Sequence, residues 1–389
     1  MTPAARVAAA IGILDQVLAG QPAEPALIGW ARASRFAGSG DRAAIRDMVF
    51  EVLRRRNSLA AIGGGVGGRS LMLGLIRAVG GDPGQVFTGV GHAPAVLTNT
   101  EAAAGLPLAD VQNMHDLPGW IWPDWQTSLG PQALDIARAM QSRAPVWLRV
   151  NPRRGSLDEA RHSLLHDGIE TRQRGDAPLA LQIVGGERKV SGSQAYQNGL
   201  VELQDLSPQL ACAALPLARG DWVLDYCAGG GGKALALASC EDLRILAHDA
   251  APSRMRNLPE RARRGGVRIA LSPPAELGSV YDLVVADVPC SGSGTWRRTP
   301  DAKWRLTRKG LDHLIVVQKQ ILQDIAPLVK GGGRIAYMTC SLLDAENGGQ
   351  VDDFLRMHPD FSEESRHGWN PLVASDGFFL SVLRRNGAY

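Results

Sequence analysis

The chain has 389 residues, a length that predicts two or three folded domains rather than one. Hydrophobic residues make up 45% and charged residues 21%, with a mean hydropathy of -0.09, which excludes a disordered or fibrous protein. The net charge of only +3 excludes a basic shell that coats nucleic acid by charge alone. Any contact with nucleic acid must therefore be local.

The N-terminal stretch and the cysteine content indicate where the protein resides. No run of about 18 apolar residues occurs, and Asp15 and Gln16 interrupt the apolar start, which argues against a membrane span and a signal peptide. We therefore expect a cytoplasmic protein, and we further expect a monomer without a metal site. Its thiols should stay reduced, because an odd number of cysteines without an export signal argues against disulfides. Free cysteines are usually small buried hydrophobes. The five are Cys212, Cys227, Cys240, Cys290 and Cys340.

Residues 1–135 predict a helical domain. Segment 41–56 predicts an amphipathic helix with Asp41 as N-cap and apolar residues at spacings of three and four: Ile45, Met48, Val49, Val52 and Leu53. A Pro/Trp-rich stretch (117–125) and a second helix (131–142) end this domain. Short apolar runs on both sides of a capped helix then predict a small α+β module over 145–205.

From residue 206 to 389 the chain alternates short apolar runs with helices, which predicts a doubly wound α/β sheet. A helix with one apolar stripe, 311–328, lies between the last two predicted strands. Such sheets bind ligands beyond the carboxyl ends of their strands. The predicted strands are Trp222–Leu224, Leu243–Ala247, Val267–Leu271, Leu283–Ala286 and Arg334–Met338.

The first predicted strand runs into a glycine-rich turn, DYCAGGGGK (225–233), followed by a helix. Glycines allow a ligand to approach the backbone, and a helix N-terminus offers free amide protons, which suits a nucleotide-like cofactor. The spacing disfavours dinucleotide and P-loop sites, and a purely structural turn is the alternative. Asp249, after the second strand, lies where carboxylates commonly bind ribose. The candidate cofactor-binding residues of the turn are Cys227, Ala228, Gly229, Gly230, Gly231, Gly232 and Lys233.

Two further strand ends carry cysteines. The fourth strand is followed by DVPCSGSG (287–294), in which Asp287 stands where the sheet opens and small residues allow a flat ligand to come close. The fifth strand ends in YMTCS (337–341), with Glu346 and Asn347 beyond it. Cys290 and Cys340 thus end neighbouring strands at the ligand edge, where a role in core packing alone is hard to support.

The segments DYCAGGGGK, DVPCSGSGTWRRTPDAKW and YMTCSLLDAEN, in this order and spacing, resemble the motifs of the RsmB/Sun family of RNA cytosine-5 methyltransferases, which use S-adenosylmethionine. The resemblance extends to Gln204-Asp205, to LRVN (148–151) and to 41–56, which looks like the NusB-like helical domain of some members. It is specific over about 145–389 and looser before that. It implies a class I methyltransferase-type sheet, preceded by the small α+β module and an N-terminal all-helical, NusB-like RNA-binding domain.

The resemblance also implies a mechanism, methylation of carbon 5 of a specific cytosine. Carbon 5 becomes nucleophilic only after a thiolate adds at carbon 6, so covalent catalysis by cysteine is required. The family's motifs assign the nucleophile to Cys340 and product release to Cys290. Asp287 would bind N3 of cytosine and contact the cofactor, while Lys233 would assist proton transfer. A free thiol has a pKa of ~8.5, so Cys340 should need nearby positive charge.

Two basic clusters, 254–268 and 297–309, are candidates for binding RNA phosphates, although a solvated surface is the alternative for each. Trp296 and Trp304 lie within the second cluster, a pattern that suits stacking on an unpaired base. The target base must be unstacked to reach Cys340. The candidate RNA-binding residues are Arg254, Arg297, Arg298 and Trp304.

The chain departs from the family pattern at the cofactor loop. The family usually has Cys-Ala-Ala-Pro-Gly-Gly-Lys-Thr, whereas this chain has Cys-Ala-Gly-Gly-Gly-Gly-Lys-Ala, which predicts a more flexible loop and weaker cofactor binding. No acidic residue that would hold the adenine is evident in ALSPPAEL (270–277). Ribosomal RNA is the expected substrate, because the NusB-like N-terminal domain is a feature of the family member that acts on ribosomal RNA. The alternatives are a tRNA methyltransferase, a non-catalytic RNA-binding or assembly factor and a small-molecule methyltransferase.

Overall fold

The computed structural model describes residues 1–272, 277 and 280–387. The chain divides into two compact units, one formed by 1–143 with 296–307 and the other by 144–295 with 308–389. The three domains expected from the sequence remain a prediction, but the small module and the large sheet fall within one unit. The sequence assigns no adenine-binding residue within 270–277. Residues 273–276 of that segment lie outside the described residues.

The first unit is helical, as expected for the N-terminal part. The predicted helix over 41–56 is confirmed as Ser39–Arg54, and Ile45, Val49 and Leu53 are buried. Asp41 is not its N-cap, because the helix begins two residues earlier; its carboxylate instead accepts from the Gly38 amide. Labelled in chain order, the helices of this unit are α1 (Pro3–Leu18), α2 (Ala23–Ala33), α3 (Ser39–Arg54), α4 (Arg56–Gly63), α5 (Gly68–Ala78), α6 (Pro83–Val86), α7 (Asn99–Ala103), α8 (Trp122–Leu129), α9 (Ala133–Ala139) and, from the later segment, α15 (Pro300–Arg305).

In the described part of the chain, no single helix is long and apolar enough to span a membrane. Helices α4 and α5 reach the required length and hydropathy only when taken together, and they meet at a bend of 89°. Most of their apolar side chains lie in the core of the helical unit.

Segment 296–307 is part of the helical unit, although it is distant in sequence from residues 1–143, which form the rest of that unit. Trp296 is buried and stacks on Trp125 with ring centroids 6.0 Å apart. Asp301 accepts a hydrogen bond from the Ala23 amide, the first residue of α2. Its neighbour Lys303 is also buried. This segment therefore completes the core of the unit and caps one of its helices.

Lys303 is a buried lysine whose amino group donates to two backbone carbonyls. Its Nζ lies 2.8 Å from the Arg54 oxygen at the end of α3 and 2.7 Å from the Asp116 oxygen. Burial lowers the pKa of Lys303 to about 7, although the charge of Asp116 opposes the shift. Below about pH 7 the folded protein therefore carries a buried charge, which lowers its free energy of unfolding.

We expect the stability of the wild type relative to Lys303→Met to rise with pH between about 7 and 10.5. In this window the unfolded lysine is protonated and the folded lysine is not, so unfolding takes up a proton and stability increases with pH. The difference should reach a few kcal/mol, since one pKa unit corresponds to ~1.4 kcal/mol. Melting temperatures of both proteins from pH 6 to 10 test this. Parallel curves would contradict it.

The second unit contains a small antiparallel sheet, in the strand order β2-β3-β1-β4. Ser156 and Glu159 cap each other's backbone at the start of α10, as expected for a capped helix. Asn151, at the end of β1, donates to the carbonyls of Gly199 and Gly265 and so ties this sheet to a helix of the large sheet. The elements are β1 (Val146–Val150), α10 (Leu157–His166), β2 (Glu170–Arg174), β3 (Ala177–Gly185), α11 (Gln194–Gln197) and β4 (Val201–Leu203).

The large sheet is doubly wound, as predicted, in the strand order β10-β11-β9-β8-β5-β6-β7. Its first five strands in chain order are parallel, whereas β11 is antiparallel to both β9 and β10. All five predicted strands are present, although β7 has only two residues. The elements are α12 (Leu206–Ala213), β5 (Trp222–Asp225), α13 (Gly232–Cys240), β6 (Arg244–Ala247), α14 (Leu258–Gly265), β7 (Ala270–Leu271), β8 (Tyr281–Asp287), α16 (Arg308–Ile325), β9 (Val329–Thr339), α17 (Gly348–Met357), β10 (Phe361–Trp369) and β11 (Phe378–Arg385).

Candidate active site

The candidate site lies at the carboxyl edge of the large sheet, where three adjacent parallel strands end. Strands β9, β8 and β5 are neighbours, with Asp287 opposite Met338 and Asp225 opposite Val285. The turns that follow them carry the two motif cysteines and the glycine-rich loop. Parallel pairing therefore brings together three sequence motifs that are separated by up to about a hundred residues.

Cys290 and Cys340 are in direct contact, with 3.4 Å between their Sγ atoms. Both are partly exposed. A hydrogen bond from Cys290 lowers the pKa of Cys340, and Lys233 lowers it further, while burial and Asp287 oppose the shift. The same hydrogen bond, followed by burial, raises the pKa of Cys290. Cys340 is therefore the thiol that ionises first, and Cys290 stabilises its thiolate by donating a proton.

Lys233 and Asp287 form an ion pair beside these thiols. Burial would lower the pKa of Lys233, but the charge of Asp287 and the hydrogen bond to it raise the pKa above its usual range. The ammonium also lies 5.3 Å from the ring centre of Phe378. Lys233 is thus held protonated, close enough to Cys340 to supply the positive charge that the thiolate requires.

Side chains from outside the glycine-rich loop hydrogen-bond to its backbone. Asp249, which is buried, accepts from the Gly229 amide at 2.8 Å, so the loop and the predicted ribose-binding carboxylate lie together. Gly229 and Gly231 have φ angles of 52° and 78°, which favour glycine. Arg261 donates to the Gly230 carbonyl. The greater flexibility and weaker cofactor binding expected from the four glycines remain predictions.

We expect Gly231→Ala to destabilise the protein by about 2–4 kcal/mol, for two reasons. The new Cβ would lie 2.2 Å from the Leu258 side chain, and alanine would have to adopt the left-handed backbone conformation of this glycine. Gly332→Ala is the matched control: Gly332 has the same φ of 78°, but nothing lies within 4 Å of the position that its new Cβ would take. It should cost only the ~1–2 kcal/mol of backbone strain. Denaturant unfolding measures both, and equal losses would contradict the steric argument.

Asp225, the last residue of β5, is a buried carboxylate that was not among the site residues expected from the sequence. It is 1% exposed, its Oδ2 accepts from the Ala234 amide, and among the described residues its Oδ1 has no hydrogen-bond partner. Burial raises its pKa to about 7, although Lys233 opposes the shift. Its position at the strand end was the signal that could have identified it.

The other three cysteines differ in their exposure and in the pKa that their surroundings give them. Burial raises the pKa of Cys212 to about 12, which makes it an inert core thiol. Burial, followed by nearby carboxylates, also raises the pKa of Cys227 in the cofactor loop above its usual range. Cys240 is exposed at the end of α13. Cys290 and Cys340 are therefore the cysteines whose contact favours a thiolate.

Two segments match known families. Residues 212–380 match the family described as 16S rRNA methyltransferase RsmB/F, and residues 117–189 match the ferredoxin-like domain of RsmF/B-like methyltransferases. Ribosomal RNA small subunit methyltransferase B of Salmonella arizonae is 31% identical over 291 residues, 71% of this chain and 67% of that protein. The chain belongs to the RsmB/F family. Its cofactor is accordingly S-adenosylmethionine.

Other members of the RsmB/F family match over a similar length. The methyltransferase B proteins of Pasteurella multocida and Escherichia coli are 30% and 31% identical over 293 and 299 residues, 68% and 73% of this chain. These alignments cover 65% and 69% of the two relatives. The chain thus spans about two thirds of the length of the curated relatives that it matches.

Solved structures share the fold of this RsmB/F chain. The protein PH0851 superimposes with a TM-score of 0.77 over 99% of both chains at 22% identity. NSun6 from Pyrococcus horikoshii, determined with SFG, has a TM-score of 0.63 at 17% identity and covers 70% of this chain and 99% of NSun6. At this identity the similarity concerns the fold, which is that of class I methyltransferases.

The residues of this RsmB/F chain fit S-adenosylmethionine, which carries a positive sulfonium and a ribose. Asp225, Asp249 and Asp287 place three carboxylates at the ends of β5, β6 and β8, and one oxygen of Asp225 is buried without a protein partner among the described residues. The loop before α13 supplies glycine backbone for close approach. Carboxylate oxygens and a close backbone at one edge suit the ribose hydroxyls and the sulfonium of this nucleoside.

The predicted RNA-binding residues are placed differently from one another. Arg297 is only 5% exposed and its carbonyl accepts from Arg54 within the helical unit, which disagrees with a role on the RNA-binding surface. The Trp304 indole donates to the Leu53 carbonyl, and Arg56 lies over its ring, so stacking on a base would require that face to be vacated. Of this segment, Trp296, Arg297 and Lys303 are buried within the helical unit.

Arg254 and Arg298 remain candidates for RNA contact. Arg254 is 62% exposed, but its guanidinium lies 3.2 Å from the Asp249 carboxylate. Arg298 is partly buried. Within the first basic cluster, Arg261 and Arg264 both form ion pairs with Glu202. The exposed arginines of that cluster are Arg254, Arg256, Arg263 and Arg268.

Proposed function

We propose that the chain transfers a methyl group from S-adenosylmethionine to carbon 5 of a cytosine in RNA, with ribosomal RNA as the substrate. The observation that carries this proposal is the 3.4 Å contact between Cys340 and Cys290, next to the Lys233–Asp287 ion pair. Two adjacent thiols that differ in acidity suit a reaction in which one forms a bond and the other handles a proton. The names of the curated relatives support ribosomal RNA as the substrate.

Cys340 acts as the nucleophile. Its thiolate, stabilised by the Cys290 hydrogen bond and the charge of Lys233, adds to carbon 6 of a cytosine that has been unstacked from its neighbours. The addition shifts electron density to carbon 5, which can then accept a methyl group. S-adenosylmethionine, when bound, supplies that methyl as an electrophile.

Asp287 and Lys233 stabilise the adduct. As electron density builds up on the ring, N3 gains basicity and needs a hydrogen-bond donor or a proton. Lys233 is hydrogen-bonded to Asp287, so a proton can pass from the ammonium through the carboxyl group to N3. The ion pair thus serves both the thiolate of Cys340 and the ring of the substrate.

Cys290 completes the reaction. After methyl transfer, the proton on carbon 5 must leave before the bond to Cys340 can break. Cys290 lies beside the nucleophile and is partly exposed, so its thiol can lose its proton to water, and the resulting thiolate can then remove the proton on carbon 5. Elimination then restores the aromatic ring and frees Cys340.

The cofactor-binding roles follow from the edge of the sheet. We assign loop residues 227–233 to the cofactor's methionine and ribose parts, Asp249 to the ribose hydroxyls, and Asp287 to the boundary with the base. Arg254, now paired with Asp249, would have to release one carboxylate oxygen for the ribose to bind.

Bisulfite sequencing of total RNA from a strain that lacks this chain, complemented by wild type or by Cys340→Ala, tests the proposed function. We expect one cytosine of small-subunit ribosomal RNA to lose methylation, with rescue by the wild type alone. A lost site in tRNA would favour the tRNA alternative. An unchanged methylation profile, together with no calorimetric binding of millimolar S-adenosylmethionine, would favour the non-catalytic factor.

A further inference from the structure

Glu346 is a fully buried carboxylate next to the two cysteine loops, and the mechanism above gives it no role. It lies in a 3-10 turn, Asp344–Glu346, between β9 and α17. Its side chain has 0% exposure. Burying a carboxylate is costly unless its oxygens are well supplied with donors. The arrangement of those donors therefore indicates what the residue is for.

The donors to Glu346 come from both cysteine loops. Its Oε1 accepts from the Ser291 amide at 2.8 Å, and its Oε2 accepts from the hydroxyl groups of Ser291 and Ser341. Ser291 directly follows Cys290, and Ser341 directly follows Cys340. One carboxylate thus joins the residues adjacent to both thiols.

Gln318, from α16, extends the same network. Its Nε2 donates to Glu346 Oε1 at 3.0 Å and to the carbonyl of Pro289 at 2.9 Å. Pro289 precedes Cys290 and Ser291 follows it, so Glu346 and Gln318 together hold the backbone on both sides of this cysteine. The side chain of Gln318 is completely buried as well.

The Cys340 loop is fixed in a corresponding way. The Ser293 hydroxyl lies 3.0 Å from the Ser341 hydroxyl and accepts from the Leu342 amide at 2.8 Å. Asn347, next to Glu346, accepts from the Thr339 hydroxyl and donates to the Ser341 carbonyl. The position of Cys340 relative to Cys290 is therefore set by a network centred on Glu346.

The charge of Glu346 also acts on the thiols. After the hydrogen bond to Cys340, burial and the charge of Cys340, the charge of Glu346 is a further cause that raises the pKa of Cys290. It therefore helps to keep Cys290 protonated, as the donor to the thiolate. This effect has the same direction as the geometric one, since both favour Cys340 as the nucleophile.

We propose that Glu346 is a positioning residue that locks the two cysteine loops in register and so distinguishes the nucleophile from the releasing thiol. It acts through Ser291 and Ser341 and touches neither the base nor the methyl donor. The inference rests on the proposed function for its consequence in catalysis. Its consequence for thiol reactivity is independent of any substrate.

The first test measures alkylation of each cysteine by iodoacetamide, followed by peptide mass spectrometry, from pH 5 to 9. In the wild type, Cys340 should react at lower pH than Cys290. In Glu346→Gln, which keeps the shape and removes the charge, the Cys290 rate at pH 7 should rise about threefold to tenfold. Glu364→Gln is the matched control, because Glu364 lies on β10 and pairs with Arg334 in the middle of β9, six residues before Cys340. It should leave both rates unchanged.

The second test separates positioning from folding. In methyl-transfer assays, Glu346→Gln should lower kcat about 10–100-fold with little change in KM for RNA, because the alignment and the relative acidity of the two thiols change while no RNA contact is removed. Ser291→Ala, which retains the charge and removes one link, should show a smaller loss of the same kind and serves if Glu346→Gln does not fold.

A fall in melting temperature with unchanged alkylation profiles and unchanged kcat would overturn the proposal, since the role of Glu346 would then be structural only. A wild type that transfers no methyl group but shows the expected difference in alkylation would contradict the proposed function and leave the positioning role supported. The two failures are therefore distinguishable.

Discussion

Replacing Cys290 by alanine is expected to trap a covalent complex between the protein and its RNA. Without the Cys290 thiolate, the proton on carbon 5 remains and the bond from Cys340 to carbon 6 cannot break. A band of reduced mobility should accumulate on a denaturing gel when RNA and S-adenosylmethionine are both present. Net turnover should fall by at least ~10³-fold, as for other residues that form or release covalent intermediates.

Cys340→Ala is the control for that experiment. It should be equally inactive but give no adduct, because the nucleophile is missing and burial and the charge of Glu346 still raise the pKa of the remaining Cys290 thiol. Cys212→Ala, at a buried thiol of the sheet core, should turn over normally. Equal behaviour of Cys290→Ala and Cys340→Ala would reject the assignment of the two roles.

The second large effect is expected at the ion pair. Lys233→Met removes the cation that lowers the pKa of Cys340 and leaves Asp287, which raises it. The acidic limb of the rate profile should therefore move to higher pH. The rate at pH 7 should fall about 10²-fold or more, since a proton donor and a charge are both lost.

Asp287→Asn should move the same limb in the opposite direction. Removing its negative charge makes the Cys340 thiolate easier to form, while the hydrogen bond to N3 of the base is weakened. Turnover should fall, yet alkylation of Cys340 at pH 6 should become faster than in the wild type. Shifts in the same direction for Lys233→Met and Asp287→Asn would show that the pair does not control the acidity of Cys340.

The doubly wound sheet and the meeting of the motifs could be predicted from the sequence because both depend on local patterns. Each buried parallel strand is a short apolar run, and each motif stands at a strand end. Strands β10 and β11 were missed. In β10, FSEESRHGW, most residues are polar, and the strand is defined by its pairing with β11 rather than by its composition.

The role of segment 296–307 could not be predicted because burial depends on contacts that are distant in sequence. Two tryptophans among arginines and a lysine are as typical of an RNA-binding surface as of a buried core. Packing of Trp296 on Trp125 and of Lys303 on the end of α3 decides between them. Glu346 was noted in the sequence, but its part in the site depends on Ser291 and Gln318, which no motif connects.

The participation of segment 296–307 in the helical unit also determines when that unit can fold on the ribosome. Residues 1–143 lack the partner of Trp125 and the acidic cap of α2 until more than 150 further residues have been synthesised. The helices of residues 1–143 therefore remain incompletely packed while the first strands of the methyltransferase unit are synthesised. A fragment that ends at Arg143 would expose the surface that Trp296 and Lys303 cover. Truncations of this protein should accordingly be designed by units rather than by order along the chain.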